Sequence, residues 1–231
     1  MFPSRLVSVL GGGTGLQNNY SLEFDGTNDY VALDLIDIDL SENWSISAWI
    51  NTTNASTAQY IFTNTKNGSN RLGITIASDN IVFGTYNGSA YTGKSGSVSA
   101  SVWNHMVATI TNNTLALYIN GVAQTGTSTP SLSSTAATRI GVKSDSSTNP
   151  FNGNIDEFAI WDTVLSAGDI STLYQAKGIS NLNDDGNSSN LQGWWRMGDG
   201  DTFPTITDNS TNSNDGTMTN MASDDIVSDT P

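Results

Sequence analysis

The chain has 231 residues, of which 36% are apolar, six are tryptophan and none is cysteine. This composition provides enough apolar side chain for one large folded domain, and it excludes disulfides and thiolate metal sites. Asp and Glu outnumber Lys and Arg by 22 to 8, and the resulting formal charge of −14 argues against a nucleic acid backbone or an anionic membrane as partner.

Residues 1–19 are predicted to form a flexible arm. Its apolar run, 6–10, is too short for a secretory signal, and the glycines of 11–15 hold regular structure poorly. No other part of the chain approaches the length and apolarity of a membrane span. We expect a single β-sandwich domain over 20–222 and a solvated acidic tail over 223–231.

From residue 20 onward, short β-type segments alternate with turn residues. Asn120-Gly121 is typical of a tight hairpin turn that requires positive φ. Segments at this spacing, with almost no helix, predict an all-β antiparallel sandwich. The predicted strands are 20–25, 44–51, 59–63, 71–77, 81–86, 103–111, 115–120 and 138–142.

The segment 153–174, GNIDEFAIWDTVLSAGDISTLY, predicts a strand followed by one short helix. Its first half alternates with period two, as a strand requires. Ser166 precedes Asp169 by three residues, which is a capping pattern at a helix start, and Gly178 suits the helix end. Further on, LQGWWRM (191–197) is too apolar for a linker and predicts another strand.

Four segments together resemble the laminin G-like jelly rolls of the concanavalin A-like lectin/glucanase superfamily. They are SLEFDGTNDYV, WSISAWI, WNHMVATI with LALYINGV, and the strand–helix segment just described, and they cover residues 20–178. The resemblance implies two curved antiparallel sheets packed face to face. It also implies that rim loops and a concave surface are available to ligands.

The order of two motifs differs from that family. In many relatives a Trp/Tyr-rich strand and a D-x-S-x-N-x-N-x-G-T segment precede the first of these strands. Here LQGWWRM and DNSTNSNDGTMTN (208–220) follow the helix. We therefore predict a circularly permuted sandwich, in which 190–222 completes the sheets beside 20–25.

The turn after the first strand carries candidate ligands for a hard cation. Asp25, Asn28 and Asp29 surround Gly26, and Ca²⁺ prefers roughly six to eight oxygen ligands. The resemblance implies a structural calcium in this region, with Asp156 as a further ligand. The alternative interpretation is an Asx-stabilised turn and a separate surface acid.

No catalytic set is predicted. Related glucanases carry E-x-D-x-x-E on one strand, and Glu23 and Asp25 begin this pattern, but its third position is Asn28. The adjacent Asp156 and Glu157 are expected on opposite faces of a strand. The single histidine, His105, is interpreted as a half-buried structural residue. We therefore predict that the protein is not an enzyme.

Sugar binding depends on aromatic rings that stack on pyranose faces. Tyr60, Tyr86, Tyr91 and Trp195 are the candidates, because they lie near turns or on the less apolar face of their strands. Aromatic residues in a sandwich more often belong to the core. That interpretation is preferred for Trp44, Trp49, Trp103, Trp161 and Trp194.

These features predict a non-catalytic recognition module, and two classes remain open. The favoured one is a bacteriophage virion component, either a capsid decoration or a tail-associated protein. Its arm would contact capsid or tail proteins, and its domain could bind host glycans. It is favoured because the chain begins at Met without a signal peptide. The alternative is a lectin-like carbohydrate-binding adhesion domain of a bacterial surface or secreted protein. Homo-oligomerisation stays open in both.

Overall fold

The structure is a computed structural model that describes residues 16–33, 36–67, 70–87, 91–125, 137–143 and 148–231. Within these ranges the chain forms sixteen strands, one α-helix and two short 3₁₀ helices. The strands are β1 (Ser21–Asp25), β2 (Tyr30–Leu33), β3 (Trp44–Thr52), β4 (Gln59–Asn67), β5 (Asn70–Ala77), β6 (Asn80–Tyr86), β7 (Tyr91–Ser97), β8 (Asn104–Thr111), β9 (Thr114–Ile119), β10 (Val122–Ala123), β11 (Ala137–Ile140), β12 (Asn152–Trp161), β13 (Leu191–Trp195), β14 (Thr205–Ile206), β15 (Gly216–Thr219) and β16 (Ile226–Val227). The helix α1 is Ala167–Ala176, and the 3₁₀ helices are Ser188–Asn190 and Ser223–Asp225.

The strands form two antiparallel sheets. Sheet A has the order β10-β9-β8-β3-β12-β1-β16, and β13 also pairs with β12. Sheet B has the order β14-β15-β2-β11-β4-β5-β6-β7. The predicted all-β sandwich is therefore confirmed.

A continuous apolar core lies between the sheets. Along β3, the side chains of Ile46, Ala48 and Ile50 enter this core, because alternate residues of a strand face the same side. Its largest buried members include Phe24, Phe62, Phe83, Phe158 and Trp195.

Helix α1 covers the outer face of sheet A as a third layer. A second buried cluster fills this interface and contains Val107, Trp161, Ile170 and Trp194. Because both faces of sheet A are covered, β3 and β8 are buried along almost their whole length, and the helix side of β3 carries the buried Ser45, Ser47 and Trp49.

The helix starts and ends where the sequence predicts. The Ser166 side chain accepts a hydrogen bond from the Asp169 backbone N–H, and the Asp169 carboxylate accepts one from Ser166 N, so both halves of the capping box form. Lys177 adopts the left-handed conformation at the C-terminal end, just before Gly178.

The C-terminal segment contributes to both sheets. β13 pairs with β12, β16 with β1, and β15 with β2. Between β13 and β15, the Asp208 carboxylate accepts hydrogen bonds from the backbone N–H groups of Trp194, Ser210 and Asn214. The Asn/Asp-rich motif thus fixes a loop against β13. The circular permutation itself stays a prediction.

The predicted acidic tail over 223–231 is wrong. Ile226–Val227 is a strand of sheet A, and Asp229 accepts a hydrogen bond from the Trp103 indole N–H at 3.2 Å. The apolar pair Ile226 and Val227 can pair with the edge of β1, and this holds the acidic residues around it against the domain. Of the predicted arm, residues 1–15 lie outside the described residues.

β1 and β13 occupy the same edge of β12, one after the other. β1 pairs with 152–155, and β13 pairs with 158–161. The register of β12 shifts between these two halves, and Glu157 adopts a φ of 47°. This β-bulge turns both Asp156 and Glu157 toward the helix side of sheet A, so the prediction that they face opposite sides is wrong.

Candidate functional site

A groove runs along the rim of the sandwich, where β1 ends and β4 and β12 begin. Two neighbouring cavities, of about 330 and 240 Å³, form it and share Ala58, Gln59 and Asn149 as lining residues. One cavity extends to the β1–β2 turn at Gly26, and the other reaches the outer face of sheet B at Tyr60 and Thr75.

The lining of this rim groove is uncharged. Hydroxyl groups come from Thr53, Thr57 and Thr75, and amides come from Asn54 and Asn149. Such groups can donate and accept hydrogen bonds without attracting ions. The rim groove therefore suits a neutral, hydroxyl-rich ligand better than a metal ion or a phosphate.

Gln59 holds the rim groove in shape. It is buried, and its Oε1 accepts a hydrogen bond from the Asn152 backbone N–H at 2.9 Å. Its Nε2 donates to the Asn54 carbonyl oxygen and, at 3.3 Å, to the Thr57 hydroxyl. The loop after β3 is thereby fixed to the start of β12, and its outward groups need no reordering when a ligand binds.

Asn149 has the geometry of a ligand-binding side chain. It is exposed, its backbone is left-handed with a φ of 54°, and its carbonyl oxygen accepts a hydrogen bond from Tyr60 N at 2.9 Å. The backbone is thus fixed while the side chain lines both cavities.

Sequence reasoning found only Tyr60 of this site. Its lining comes from four regions far apart in the chain, namely Gly26, 53–60, 75–77 and 149–152. One local signal was available: Asn149-Pro150 just before β12 is typical of a turn whose side chains face solvent.

Of the four aromatic candidates, only Tyr60 lines the rim groove. Tyr60 is 5% exposed, and its hydroxyl accepts a hydrogen bond from Arg71 Nε at 3.2 Å. The Arg71 guanidinium also lies over the Tyr86 ring, 4.2 Å from its centre. Tyr86 therefore serves as a support for Arg71. Tyr91 lies opposite Tyr86 in β7, and its side chain lies outside the described residues.

Trp195 is a core residue, which corrects its prediction as a ligand-binding residue. It is fully buried, packs against Phe158, and donates its indole N–H to the Asn214 carbonyl oxygen at 2.8 Å. An aromatic ring with no exposed face cannot stack on a sugar.

Of the metal candidates, Asp156 lies apart from the turn that holds Asp25, Asn28 and Asp29. Asp25 lies opposite Asn152 in the register of β1 and β12, so Asp156, four residues further along, lies about 13 Å away. Asn28 is joined to the C-terminal segment, since its carbonyl oxygen accepts a hydrogen bond from Asn220 Nδ2. In the part of the chain that the structure describes, no group of three or more His, Cys, Asp or Glu side chains could hold a metal ion.

Asp29 and Asp25 stabilise their own turn. Asp29 Oδ2 accepts a hydrogen bond from Asp25 N at 2.9 Å, and Asp25 Oδ1 accepts one from Thr27 N at 2.6 Å. Burial, together with the negative charges of Asp25 and Asp225, raises the pKa of Asp29 to about 6. Calcium binding at this turn stays a prediction.

The bulge of β12 contains a buried charged cluster. Glu157 accepts hydrogen bonds from Trp194 Nε1 at 2.6 Å and from Arg196 Nε at 3.0 Å. Arg196 also donates to the Gln17 carbonyl oxygen at 2.6 Å and lies 3.5 Å from Asp199.

The same cluster fastens the chain segment before β1. Asp199 accepts a hydrogen bond from Asn19 N, and Asp156 accepts one from Asn18 Nδ2 at 2.8 Å. Burial raises the pKa of Asp156 well above its ordinary value, and it raises that of Glu157 to about 7 despite the opposing effect of Arg196. This cluster is enclosed, so we assign it a structural role.

Ser47 and His105 form a nucleophile–base pair by distance alone. Ser47 Oγ lies 2.9 Å from His105 Nε2. Burial lowers the pKa of His105 to about 3, and its Nδ1 has no hydrogen-bond partner within the described residues. The adjoining cavity, about 20 Å³, holds one water molecule at most. The pair therefore lacks both the orienting acid and the substrate access of a catalytic triad.

A laminin G model of the concanavalin A-like lectin/glucanases superfamily matches residues 25–171, more than half of the chain. The chain belongs to this family. The resemblance read from the sequence is therefore confirmed. No helix among the residues described above is long and apolar enough to cross a lipid bilayer.

Solved structures share the fold of this chain at low sequence identity. A protein from Bacteroides ovatus, named as a candidate carbohydrate binding protein, has a TM-score of 0.66 and 16% identity over 90% of this chain. This chain spans 60% of that protein's length.

Two smaller domains were solved with sugars bound. Domain 4 of the Geobacillus stearothermophilus arabinanase AbnA, in complex with arabinotriose, has a TM-score of 0.57 and 20% identity, and the match covers 71% of this chain and 82% of that one. The sialidase CBM40 of Ruminococcus gnavus, bound to α2,3-sialyllactose, has a TM-score of 0.54 and 16% identity, with coverage of 69% and 99%. A comparison with curated proteins found no match.

Proposed function

We propose that this chain is a non-catalytic carbohydrate-binding module that holds a glycan in the rim groove. One observation carries the proposal: the groove is shaped in advance and is lined by uncharged hydroxyl and amide groups. Sugars present dense, neutral hydrogen-bonding groups, and sites that bind them use few, well-placed polar partners.

The structural neighbours support this proposal over the virion hypothesis. Two of them were solved with arabinotriose or sialyllactose bound, and a third is named for carbohydrate binding. We accordingly favour a lectin-like module that acts outside the cell or on its surface. Its placement as a bacteriophage capsid or tail component stays a prediction from the sequence.

A glycan array with wild type and Asn149→Ala tests the proposal. Loss of one ligand hydrogen bond should weaken binding by about threefold to tenfold. Asn113→Ala is a matched control, because Asn113 is also exposed and left-handed, with a φ of 60°, but does not line the groove. A blank array for wild type, or equal losses in both variants, would refute the proposal.

A further inference from the structure

Charge is distributed unevenly between the two sheets. The strands of sheet B contain four basic residues (Lys66, Arg71, Lys94 and Arg139) and neither Asp nor Glu. The described strands of sheet A contain four acidic residues and neither Lys nor Arg. The strands of sheet B therefore hold half of the 8 basic residues of a chain that has 22 acidic ones.

Arg139 lies on the outer face of sheet B. Its neighbours in β11, Thr138 and Ile140, are buried on the core side, and alternation places Arg139 on the other side. Its guanidinium lies over the Tyr30 ring, 4.4 Å from the ring centre. A guanidinium held over a ring has lost much of its freedom before any ligand arrives.

Arg139 has no acidic partner within the described ranges. It is half-buried, and its only interaction there is the one with Tyr30. Arginine that is partly removed from water is ordinarily paired with a carboxylate. The N–H groups of the Arg139 guanidinium are therefore available to donate hydrogen bonds to a planar anionic group.

Hydroxyl groups border this guanidinium. On β15, Thr217 and Thr219 lie opposite Ala32 and Tyr30 of β2, and so share the outer face with Arg139. Thr217 is exposed and Thr219 is half-buried. An aromatic ring, a guanidinium and two hydroxyls together match the groups of a sugar that carries a carboxylate or sulfate.

The rim groove leads toward Arg139. Tyr60, at the sheet B end of the groove, lies three residues from Thr63 on β4, and Thr63 lies opposite Arg139. Strand geometry puts Tyr60 and Arg139 about 11 Å apart. Between them Thr63 is fully buried, and its hydroxyl donates to the Val142 carbonyl oxygen at 2.9 Å, so a glycan chain that leaves the groove would pass over Val142 to reach Arg139.

We infer that the outer face of sheet B, at Arg139 and Tyr30, binds the acidic group of an anionic glycan whose chain lies in the rim groove. This inference rests on the proposed function and specifies its ligand class. The formal charge of −14 repels polyanions from most of the molecule, so selectivity for an acidic glycan depends on this face.

Three pairs of ligands that differ in charge test the inference. They are polygalacturonate and its methyl ester, dextran sulfate and dextran, and α2,3-sialyllactose and lactose. Wild type should bind the acidic member of at least one pair about tenfold more tightly, as one charge-assisted bidentate contact provides. Arg139→Gln should remove that preference while leaving the affinity for the neutral member unchanged. Arg139→Lys should restore it only in part, because lysine lacks the planar fork.

Lys177→Gln is the control, since Lys177 is an exposed cation at the end of α1, on the opposite side of the sandwich. It should keep the wild-type preference. Equal loss in both Gln variants would overturn the inference, because the effect would then come from net charge alone. Displacement of the acidic glycan by millimolar inorganic phosphate, or a dimer in solution that Arg139→Gln dissociates, would also overturn it.

Different results would refute the inference at Arg139 and the proposed glycan-binding function. If acidic and neutral members bind equally and Asn149→Ala weakens both, the inference at Arg139 is wrong and the proposed function stands. If wild type binds no member of any pair and the glycan array is blank, both are wrong. Circular dichroism and melting temperature confirm that each variant is folded.

Discussion

Replacing Glu157 by Gln should change how stability depends on pH. Burial raises the pKa of this glutamate from 4.5 to about 7, although Arg196 and the Trp194 indole N–H both favour its ionised form. A glutamine has the same shape and can still accept one of those hydrogen bonds, but it does not titrate.

The direction of this pH dependence follows from proton binding in the folded and unfolded states. The folded state holds a proton on Glu157 up to a higher pH than the unfolded state does, so this residue favours folding at low pH. That contribution is lost as pH rises from about 4.5 through 7. A tenfold change in proton affinity is worth about 1.4 kcal/mol, so the total is about 3 kcal/mol.

Urea unfolding at pH 4.5 and pH 8 measures this effect. The quantity of interest is the unfolding free energy of Glu157→Gln minus that of wild type, which should increase by about 3 kcal/mol between the two pH values. Taking this difference cancels groups whose titration does not depend on Glu157, such as Asp29. The same substitution at Glu42, which is exposed, controls for the loss of one formal charge.

A pH-independent difference, or one that decreases as pH rises, would refute the reasoning. Either result would mean that Glu157 stays ionised in the folded state and that its ion pair with Arg196, at 3.0 Å, outweighs burial. The buried cluster would then stabilise the fold at neutral pH, rather than reduce its stability there.

Three further predictions concern the fold and the calcium hypothesis. Gly153→Ala should lower the free energy of unfolding in urea by about 3 kcal/mol or more, because φ is +132° and a Cβ would overlap the Asn51 carbonyl oxygen. The control Gly168→Ala, in the open first turn of α1, should be neutral or stabilising. Equal losses in the two variants would contradict this prediction. Trp195→Phe should lower stability by about 1–2 kcal/mol through loss of a buried hydrogen bond without changing glycan affinity, and weaker glycan binding would contradict its assignment to the core. Calcium should raise the melting temperature of wild type but not of Asp29→Asn; identical melting curves in calcium and in chelator would rule out a calcium site at that turn.

Patterns with a strong local cause were predictable from the sequence. The helix α1 begins at Ser166 because the capping box is a local interaction between residues three apart. β3 was predictable because Ile46, Ala48 and Ile50 alternate along the face that enters the core.

Features that depend on pairing between distant segments were not predictable. β7 was also missed, although it pairs with its chain neighbour β6, because its two glycines and a lysine are atypical of a strand; Gly84 and Gly93 lie so close that neither position has room for a Cβ. The bulge at Glu157 has no sequence signal of its own, because it arises where β1 and β13 share one edge of β12. The rim groove likewise forms only when four segments far apart in the chain meet.

The attachment of residues 16–20 determines where a tag can be joined without covering the outer face of sheet B. Leu16 packs against the cluster between sheet A and α1, and Asn18 and Asn19 are hydrogen-bonded to Asp156 and Asp199. The chain therefore enters the sandwich from the helix side, opposite the outer face of sheet B. A tag or sensor surface joined directly before Leu16 would leave that face pointing into solution, whereas removal of residues 226–231 would take β16 from the edge of β1.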